Sequence, residues 1–595
     1  MMAMAFDGIA VSAIAVELNE KLGNARVARI YQPSRHTIII HLRSIGQTHK
    51  LLISADPESA RIHTTKVPDP NPEYPPAFCM LLRKHLEPSR LIGIEQVEFE
   101  RIVAIRFETY DLDLNPAQKS IVCELMGRNS NIILINQDQT ILDAIHRNND
   151  PNHPRPIMPG LRYQLPPVHK KINPRSSSKT EFAEELRLLP ASTSLAQALV
   201  ERYQGLGPQA AMEVCSRSAL DPELGIRDLT IDQMHRIWQA LVELTSGKYQ
   251  PTMICSPKPD FFAYMPVKAP SNGRVRQFAE FDELLDHFYT SMNLKRQLQQ
   301  KTAKLQRMVN THLKRIRRKE QIHRDTVRIA AGADTWQKWG EIILANIYQI
   351  KKGDDKLEAV DFYQPGQPKV IIELDPRLSP SENAQHYFNK YTKAKRGAKN
   401  AVKQLEETTL LRSYLEEISI QLEQADDLET TAEIEAELIK EGLIAKTDGW
   451  RRKTAGQTRE KRPKPYDQYL ASDGTMILAG RSNRQNDVVT FKAGKPEHLW
   501  LHAQNIPGSH VVVCSDQEIS ARTLLEAATL AAYYSQNRTN TKVAVDYTKR
   551  KYVKKPPKAK PGFVTYDRFQ TIIVDPTQSA NLPRKLSTAN DNEGL

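Results

Sequence analysis

The chain has 595 residues, too many for one hydrophobic core, so several domains are expected. Its 83 Lys and Arg against 70 Asp and Glu leave a formal net charge of +13, which favours a polyanionic partner over an acidic small molecule. Five cysteines, at 79, 123, 215, 255 and 514, contain no C-x-x-C pair, which argues against a zinc ribbon or disulfide framework and for a reducing compartment. MMAMAFDGIAVSAIAVEL carries Asp7 and Glu17 without a basic leader, and no run of eighteen apolar residues occurs; the expectation is a cytoplasmic chain without membrane contact.

Residues 1–172 read as an α+β domain. Ile9 to Leu22 has helical apolar spacing stopped at Gly23 and Asn24, and Val27 to Tyr31, Thr37 to Leu42 and Lys50 to Ser54 alternate like antiparallel strands. Pro75 to Leu86 reads as a proline-started helix ending in Arg83, Lys84 and His85, and strands resume at Arg101 to Phe107 and Ile132 to Ile135. Between those strands Gly127 breaks an apolar segment into Arg128, Asn129, Ser130 and Asn131. A guanidinium fork beside amides suits phosphates and base edges; ordinary turn chemistry is the alternative.

Lys171 to Lys179 is Ser- and Lys-rich and opens a helical domain, 173–265, with helices at Glu181 to Leu189 and Leu195 to Tyr203. Gln204 to Cys215, QGLGPQAAMEVC, has the form of a helix-hairpin-helix turn, in which Gly205 and Gly207 let backbone N–H groups approach a phosphate. A plain helical hairpin is the competing reading. Residues 266–445 form long helices. Leu294, Leu298, Leu305, Val309, Leu313 and Ile316 mark one stripe and Leu411, Leu415, Ile418 and Leu422 another, which predicts an antiparallel coiled coil with a small head domain, about 332–374, at its tip. Lys295 to Arg324 holds eleven bases and one acid, Glu320, whereas Leu415 to Glu441 holds ten acids and one base; complementary charge along the pair is expected.

Residues 446–465 read as a basic linker, 466–578 as a last α/β domain and 579–595 as a flexible tail. In the last domain WLHAQNIPGSHVVV, Trp500 to Val513, places His502 and His510 around a Pro507-Gly508 turn before a buried strand, where the Gly508 and Ser509 backbone could meet a phosphate. Arg481 and Arg484 lie upstream. Lys549 to Gly562 holds seven bases, among them Lys551, Lys554 and Lys555, with Tyr552 interleaved, a pattern suited to single-stranded nucleic acid. The two histidines have neither a partner nucleophile nor a metal set, so the turn reads as a binding element.

Several long motifs, in order, resemble the NFACT proteins: MAFDGIAVSAIAVEL, RIYQP, LLISADPESARIHTT, PPAFCMLLRKHL, ELMGRNSNIIL, LDPRLSPSENAQHYFNKYTKAK, GRSNRQNDVVTFK and WLHAQNIPGSHVVV. The match spans nearly the whole chain. It implies a ribosome quality control factor that binds large ribosomal subunits obstructed by peptidyl-tRNA. Such a factor recruits charged tRNA, typically alanyl-tRNA in bacteria, and directs untemplated tailing that marks the stalled chain for degradation. It further implies an NFACT-N domain related to the N-domain of formamidopyrimidine-type DNA glycosylases, a C-terminal NFACT-R RNA-binding domain, a small RNA-binding assisting factor and a monomer on the ribosome. By that resemblance Glu100 and Arg101 stand at the family's tRNA-contacting Asp-Arg pair, and Glu124 and Leu125 at the Glu-hydrophobic pair ahead of Arg128 and Asn129. Glu100 replaces the usual Asp and Asn129 the usual His, which bears on tRNA identity.

The glycosylase chemistry does not carry over, because that family needs an N-terminal proline and a Cys-rich zinc element that this chain lacks. Walker, H-E-x-x-H and G-x-S-x-G motifs are also missing, so the expectation is a binding factor without catalytic residues, metal or cofactor, with the ribosome forming the peptide bond. The alternatives are a glycosylase-like DNA-processing enzyme and a surface adhesin, since some family members carry the older name fibronectin- or fibrinogen-binding protein.

Overall fold

The computed structural model describes residues 6–44, 46–67, 71–110, 115–150, 155–166, 171–255, 260–266, 274–445, 466–578 and 582–586. The basic linker expected at 446–465 and most of the expected tail lie outside the described residues. Met1–Asn293 makes up most of one compact unit and Leu294–Glu593 the other.

In the first unit helix α1, Gly8–Leu22, begins where extended Asp7 accepts a hydrogen bond from the Ala10 N–H at 2.8 Å, satisfying a donor that the first turn leaves free. Ile9, Ile14, Leu18 and Leu22 on this helix are fully or almost fully buried. They pack against an antiparallel sheet of nine strands. These are β1 Arg26–Ser34, β2 Thr37–Ser44, β3 Gln47–Ser54, β4 Arg61–Thr64, β5 Arg90–Gln96, β6 Ile102–Tyr110, β7 Pro116–Glu124, β8 Asn131–Asn136 and β9 Ile141–Ala144, in the order β4-β3-β2-β1-β5-β6-β7-β8-β9. The two-residue period of a strand sends Ile38, Ile40 and Leu42 of β2 into the core and leaves His41 and Arg43 on the other face. Helix α2, Ala77–Leu86, buries Phe78, Cys79, Leu82 and Leu86 against the same core.

Four helices follow: α3 Lys179–Arg187, α4 Leu195–Arg202, α5 Pro208–Arg217 and α6 Ile231–Thr245. Capping boxes Ser178/Glu181 and Thr230/Gln233 start α3 and α6. A small sheet of β10 Thr252–Ile254, β11 Asp260–Phe262 and β12 Val275–Gln277 closes the unit.

Helix α7, Phe281–Ala331, runs from the first unit into the second, where α9, Pro380–Glu423, returns antiparallel to it. Leu305, Val309, Leu313 and Ile316 meet Tyr414, Leu415, Ile418 and Leu422 in a continuous seam. Leu294, expected in that stripe, is 50 % exposed and lies outside it. Helix α8, Asp334–Ala345, with the hairpin β13 Lys356–Val360 and β14 Lys369–Glu373, encloses its own cluster of Ile342, Ile343, Leu357, Ile372 and Tyr387 between the two arms. The acidic stretch does not lie along α9 alone, because α9 ends at Glu423 and a separate helix α10, Leu428–Lys440, holds Glu429, Glu433, Glu435 and Glu437, with Asp426, Asp427 and Glu441 at its flanks. Lys301 therefore pairs with Glu435 on α10, at 2.9 Å, while Arg317 reaches Glu416 and Arg412 reaches Glu320, each at 3.0 Å.

The C-terminal sheet is built from β15 Asp467–Leu470, β16 Met476–Ala479, β17 Leu499–Ala503, β18 Val511–Cys514 and β19 Val543–Lys549, with α11 Asn483–Val488 and α12 Ala521–Tyr533 between them. A short hairpin, β20 Val553–Lys554 and β21 Thr565–Tyr566, precedes β22 Gln570–Val574 and β23 Arg584–Lys585. The sheet order is β22-β19-β17-β18-β16-β15-β23. Helix α12 covers one face over Leu501, Val511, Val513 and Val545; Trp500, Leu478 and Val512 face the other, under the helical turn Val489–Ala493 that follows α11 and the β20–β21 hairpin.

The α4–α5 connection shows how closely the first unit is packed. Gly205 has φ +67, its carbonyl accepts the Gly8 N–H at 2.7 Å, and a Cβ there would fall on the Phe99 carbonyl oxygen and 2.9 Å from the Gly8 Cα. Gly205→Ala is expected to destabilise the first unit by about 3 kcal/mol or more, since strain and overlap add. Gly46→Ala, at φ +78 with nothing within 4 Å, costs about 1 kcal/mol. Thermal unfolding of the two variants checks the difference.

Candidate nucleic-acid interfaces

In the first unit a rim forms where the turn before β6 meets the loop after β7. Glu98, at φ 53, turns the chain, and Phe99 is fully buried beneath it. The Gln96 amide donates to the carbonyls of Gly8 and Glu100, each at 2.9 Å, which fixes Glu100 and Arg101 beside the start of α1. The Leu125 N–H donates to the Arg101 carbonyl at 2.9 Å, so the same backbone contact joins Arg101 to the 126–130 loop. That loop holds itself: Ser130 Oγ accepts from the Met126 N–H at 2.9 Å, and Gly127 takes φ +60. Arg128 and Asn129 are exposed at its tip. Among the described residues neither Glu100 nor Arg101 makes an ion pair, although both are half-buried. Burial pushes the nearby Asp7 carboxyl up to about 6, and the Arg101 charge pulls against it. Burial also lowers the Lys171 ammonium, with Glu100 opposing and Arg101 adding to that shift. Partly desolvated charges without partners at a rim suit a ligand that brings its own charges.

Four expected contacts in this unit have other roles. Glu124 is 1 % exposed because the period of β7 turns it inward; Arg155 clamps its carboxylate and the Tyr163 hydroxyl donates to it at 2.8 Å. Leu125 is 2 % exposed and belongs to the main core. Both position the 126–130 loop and cannot touch RNA themselves. Gly205 is spent on Gly8 and Phe99, and Gly207 is the N-cap of α5, whose first position is proline, so one free N–H is already missing there. Arg155 and Tyr163 escaped the sequence reading, since nothing local marks a side chain that answers a buried acid thirty residues upstream.

In the second unit the stretch from Pro507 to His510, between β17 and β18, is internal. Ser509 donates to the Tyr534 carbonyl at 3.1 Å, Gly508 bridges to Ser535, and the His510 N–H donates to Asn486 Oδ1 at 3.0 Å. His502 stacks on Trp500 with ring centres 5.8 Å apart, and His510 meets Trp500 edge-on at 5.1 Å while its Nδ1 lies 2.8 Å from Thr490 Oγ1. Burial holds His510 well below its ordinary value and takes His502 down to about 4, so both are neutral. Gly508, Ser509 and His510 are therefore packing elements, and His502 is half-buried beside them, stacked on Trp500. Arg481 is likewise buried, bonded to Asp467 at 3.1 Å, Asp426 at 3.4 Å and the Gln424 carbonyl, and stacked 4.3 Å over Tyr534. In the basic run Lys551 pairs with Glu497 at 2.8 Å and Lys555 with Asp487, whereas Lys554 and, upstream, Arg484 are exposed and make no ion pair among the described residues.

Two measurements test these assignments. Arg155→Met leaves the Glu124 carboxylate buried and uncompensated and is expected to cost about 3 kcal/mol, while adding Glu124→Leu recovers most of it; urea unfolding of the single and double variants gives the coupling. The depressed histidines give the opposite of an acid-stable domain. Their unfolded forms bind protons near pH 6.5 and the folded forms do not, so stability is complete above pH 6.5 and is lost as pH falls towards 4. The unfolding free energy from urea titrations should drop by about 2 kcal/mol between pH 7 and 5 on account of His502 alone, and His502→Gln should remove that part of the slope.

The chain matches a family model described as NFACT N-terminal and middle domains over residues 7–457, and a second, NFACT protein RNA binding domain, over 466–567. It is 34% identical over 591 residues to the Rqc2 homolog RqcH of Bacillus subtilis, covering 98% of this chain and 100% of that protein. It is 22% identical over 620 residues to the ribosome quality control complex subunit NEMF homolog of Drosophila melanogaster, covering 87% of this chain and 59% of that protein. A fibrinogen binding protein from Staphylococcus aureus superposes with a TM-score of 0.42 at 26% identity over 48% of this chain and 99% of that one, a likeness too partial to carry an argument. With both models matched in order across the described domains, the chain belongs to the NFACT family.

Proposed function

We propose that this protein is a ribosome quality control factor that binds obstructed large ribosomal subunits and recruits charged tRNA, alanyl-tRNA by preference, for untemplated tailing of the stalled chain. The observation that carries this reading is the 34% identity over 98% of the chain to the Bacillus subtilis Rqc2 homolog RqcH, which leaves no major domain unmatched. The first unit then combines an NFACT-N domain, 1–172, related to the glycosylase N-domain, with a helix-hairpin-helix domain, 173–265. The arm and head make up 266–445, and the NFACT-R domain, 466–578, binds RNA. In this reading Arg101 and Arg128 meet tRNA phosphates, Glu100 and Asn129 accept from or donate to a base edge, and Arg484 and Lys554 meet ribosomal RNA. Glu124 acts through the loop that it anchors. Bond formation belongs to the peptidyl-transferase centre, and the chain, a cytoplasmic monomer helped by a small RNA-binding factor, contributes positioning. A DNA-processing role loses its main support, because Gly205 is packed against the protein's own backbone.

Purifying the tagged protein from cells and sequencing the bound RNA tests the whole reading: large-subunit rRNA and tRNA should be enriched. Enrichment of DNA or of extracellular matrix protein with neither RNA would overturn it. Arg101→Ala is expected to lower tRNA recovery by about tenfold, the worth of a charge-assisted contact, while large-subunit rRNA changes by less than about twofold. Equal loss of both RNAs would refute the separation of the two contacts.

A further inference from the structure

The C-terminal sheet has one face that is only partly covered. On β19 and β22, Val543, Val545, Ile572 and Val574 turn towards α12. The paired residues Asp546↔Thr571 and Ala544↔Ile573 turn to the opposite side, with Trp500. There the helical turn Val489–Ala493 and the β20–β21 hairpin bury Trp500 completely, but the cover ends before the outer strand, leaving Phe569 47% and Ile573 67% exposed. Three rings lead from the core to this opening. Trp500 lies 4.9 Å from Tyr566, and Tyr566 lies 5.4 Å from Phe569, edge to face. Tyr566 is held still, because its hydroxyl donates at 2.9 Å to Asp546, a buried carboxylate that also accepts from Thr571 at 2.6 Å and Gln504 at 3.0 Å.

Charge borders the same opening. Arg568, next to Phe569, stacks its guanidinium 4.9 Å over the half-buried Tyr552 ring, and Lys554 on β20 is exposed without an ion pair among the described residues. An exposed ring at the edge of a rigid sheet, with a half-buried tyrosine and bases without ion pairs beside it, fits unpaired nucleotides: bases stack on rings and the backbone follows the cations. Paired bases hide their faces in the helix and cannot use such a ring.

We infer that Phe569, with Ile573 and the Tyr552–Arg568 stack beside it, is a stacking platform for unpaired RNA bases, separate from the histidine and Pro-Gly turn. This rests on the reading of the last domain as RNA-binding and names the form of RNA that it takes. Thereafter the domain reads single strands and the loops of structured RNA, not duplex.

The test uses the full chain, a short fluorescein-labelled oligouridylate and an RNA duplex of the same length, with affinity read by fluorescence anisotropy. Because Phe569 is exposed, Phe569→Ala should leave the thermal midpoint almost unchanged. It should weaken single-strand binding by about tenfold and duplex binding by less than about twofold, and Phe569→Tyr should restore the single-strand affinity. Thiouridine in the oligouridylate should crosslink to the 566–573 segment in the wild type and lose that crosslink in Phe569→Ala. Unchanged single-strand affinity together with an unchanged crosslink map, or equal loss for both probes, would overturn the platform while leaving RNA binding intact. If the wild type binds neither probe, the RNA-binding reading of the domain falls, and the platform with it.

Discussion

Arg481 sits where the foot of the arm meets the C-terminal sheet, and its guanidinium is answered on every side: Asp467 on β15, Asp426 and the Gln424 carbonyl just past α9, and the Tyr534 ring at the end of α12. A charge removed from water costs several kcal/mol unless its partners are in place. The arm's end, the first strand of the sheet and its covering helix must therefore reach their positions together. Neighbouring contacts repeat the theme: Gln421 donates to Asn483 at 2.7 Å, Tyr414 donates to Glu437 at 2.8 Å, and Asn483 donates to the same carboxylate at 3.2 Å. Burial raises the Glu437 carboxyl to about 7, so it holds its proton more readily than an exposed glutamate does. The arm is thus rooted in a polar network within the second unit and not merely tethered to it.

The same demand separates charges that hold the fold from charges left for a ligand. Glu124 with Arg155, and Asp546 with three donors, are closed sets. Glu100, Arg101, Arg128, Arg484 and Lys554 make no ion pair among the described residues, and around the first three the backbone is fixed by other contacts. A rigid frame that presents unpaired charge spends little conformational entropy on binding.

Much of the architecture was legible in the sequence because periodicity reports burial directly. The helix at Ile9 to Leu22, the strands around Val27, Thr37 and Lys50, the seam of Leu305 to Ile316 and the strand at Val511 all lie where their apolar spacing put them. The site was less legible. Arg481 and Glu124 have the residue types of a binding site, yet their partners come from residues 155, 424, 426 and 534, distant in sequence, and no local pattern announces them. The turn expected at Pro507 and Gly508 lies instead at Gln504 and Asn505, the latter at φ 54, while Gly508 bridges to Ser535 and the Ser509 N–H is taken by the Tyr534 carbonyl at the end of α12, a docking that no local pattern announces. Gly205 shows the same limit: a Gly-x-Gly spelling is shared by phosphate cradles and by close backbone crossings.

The basic run from Lys549 to Gly562 carries one more consequence. Lys549 and Lys551 both bind Glu497, Lys555 binds Asp487, Lys560 binds Glu441, and Arg550 donates to the carbonyls of Thr490 and Phe491. Of its seven bases only Lys554 and Lys558 remain without such a partner among the described residues. Cations paired with carboxylates release few counterions when RNA arrives, whereas Arg550 on neutral carbonyls keeps its charge, so with Lys554 and Lys558 this run adds about 2, and not about 5, to the logarithmic dependence of affinity on salt for a single strand. Salt that weakens RNA capture also loosens the loop's own ion pairs, so the bases that fasten the loop become a reserve that high ionic strength sets free but at the same time screens.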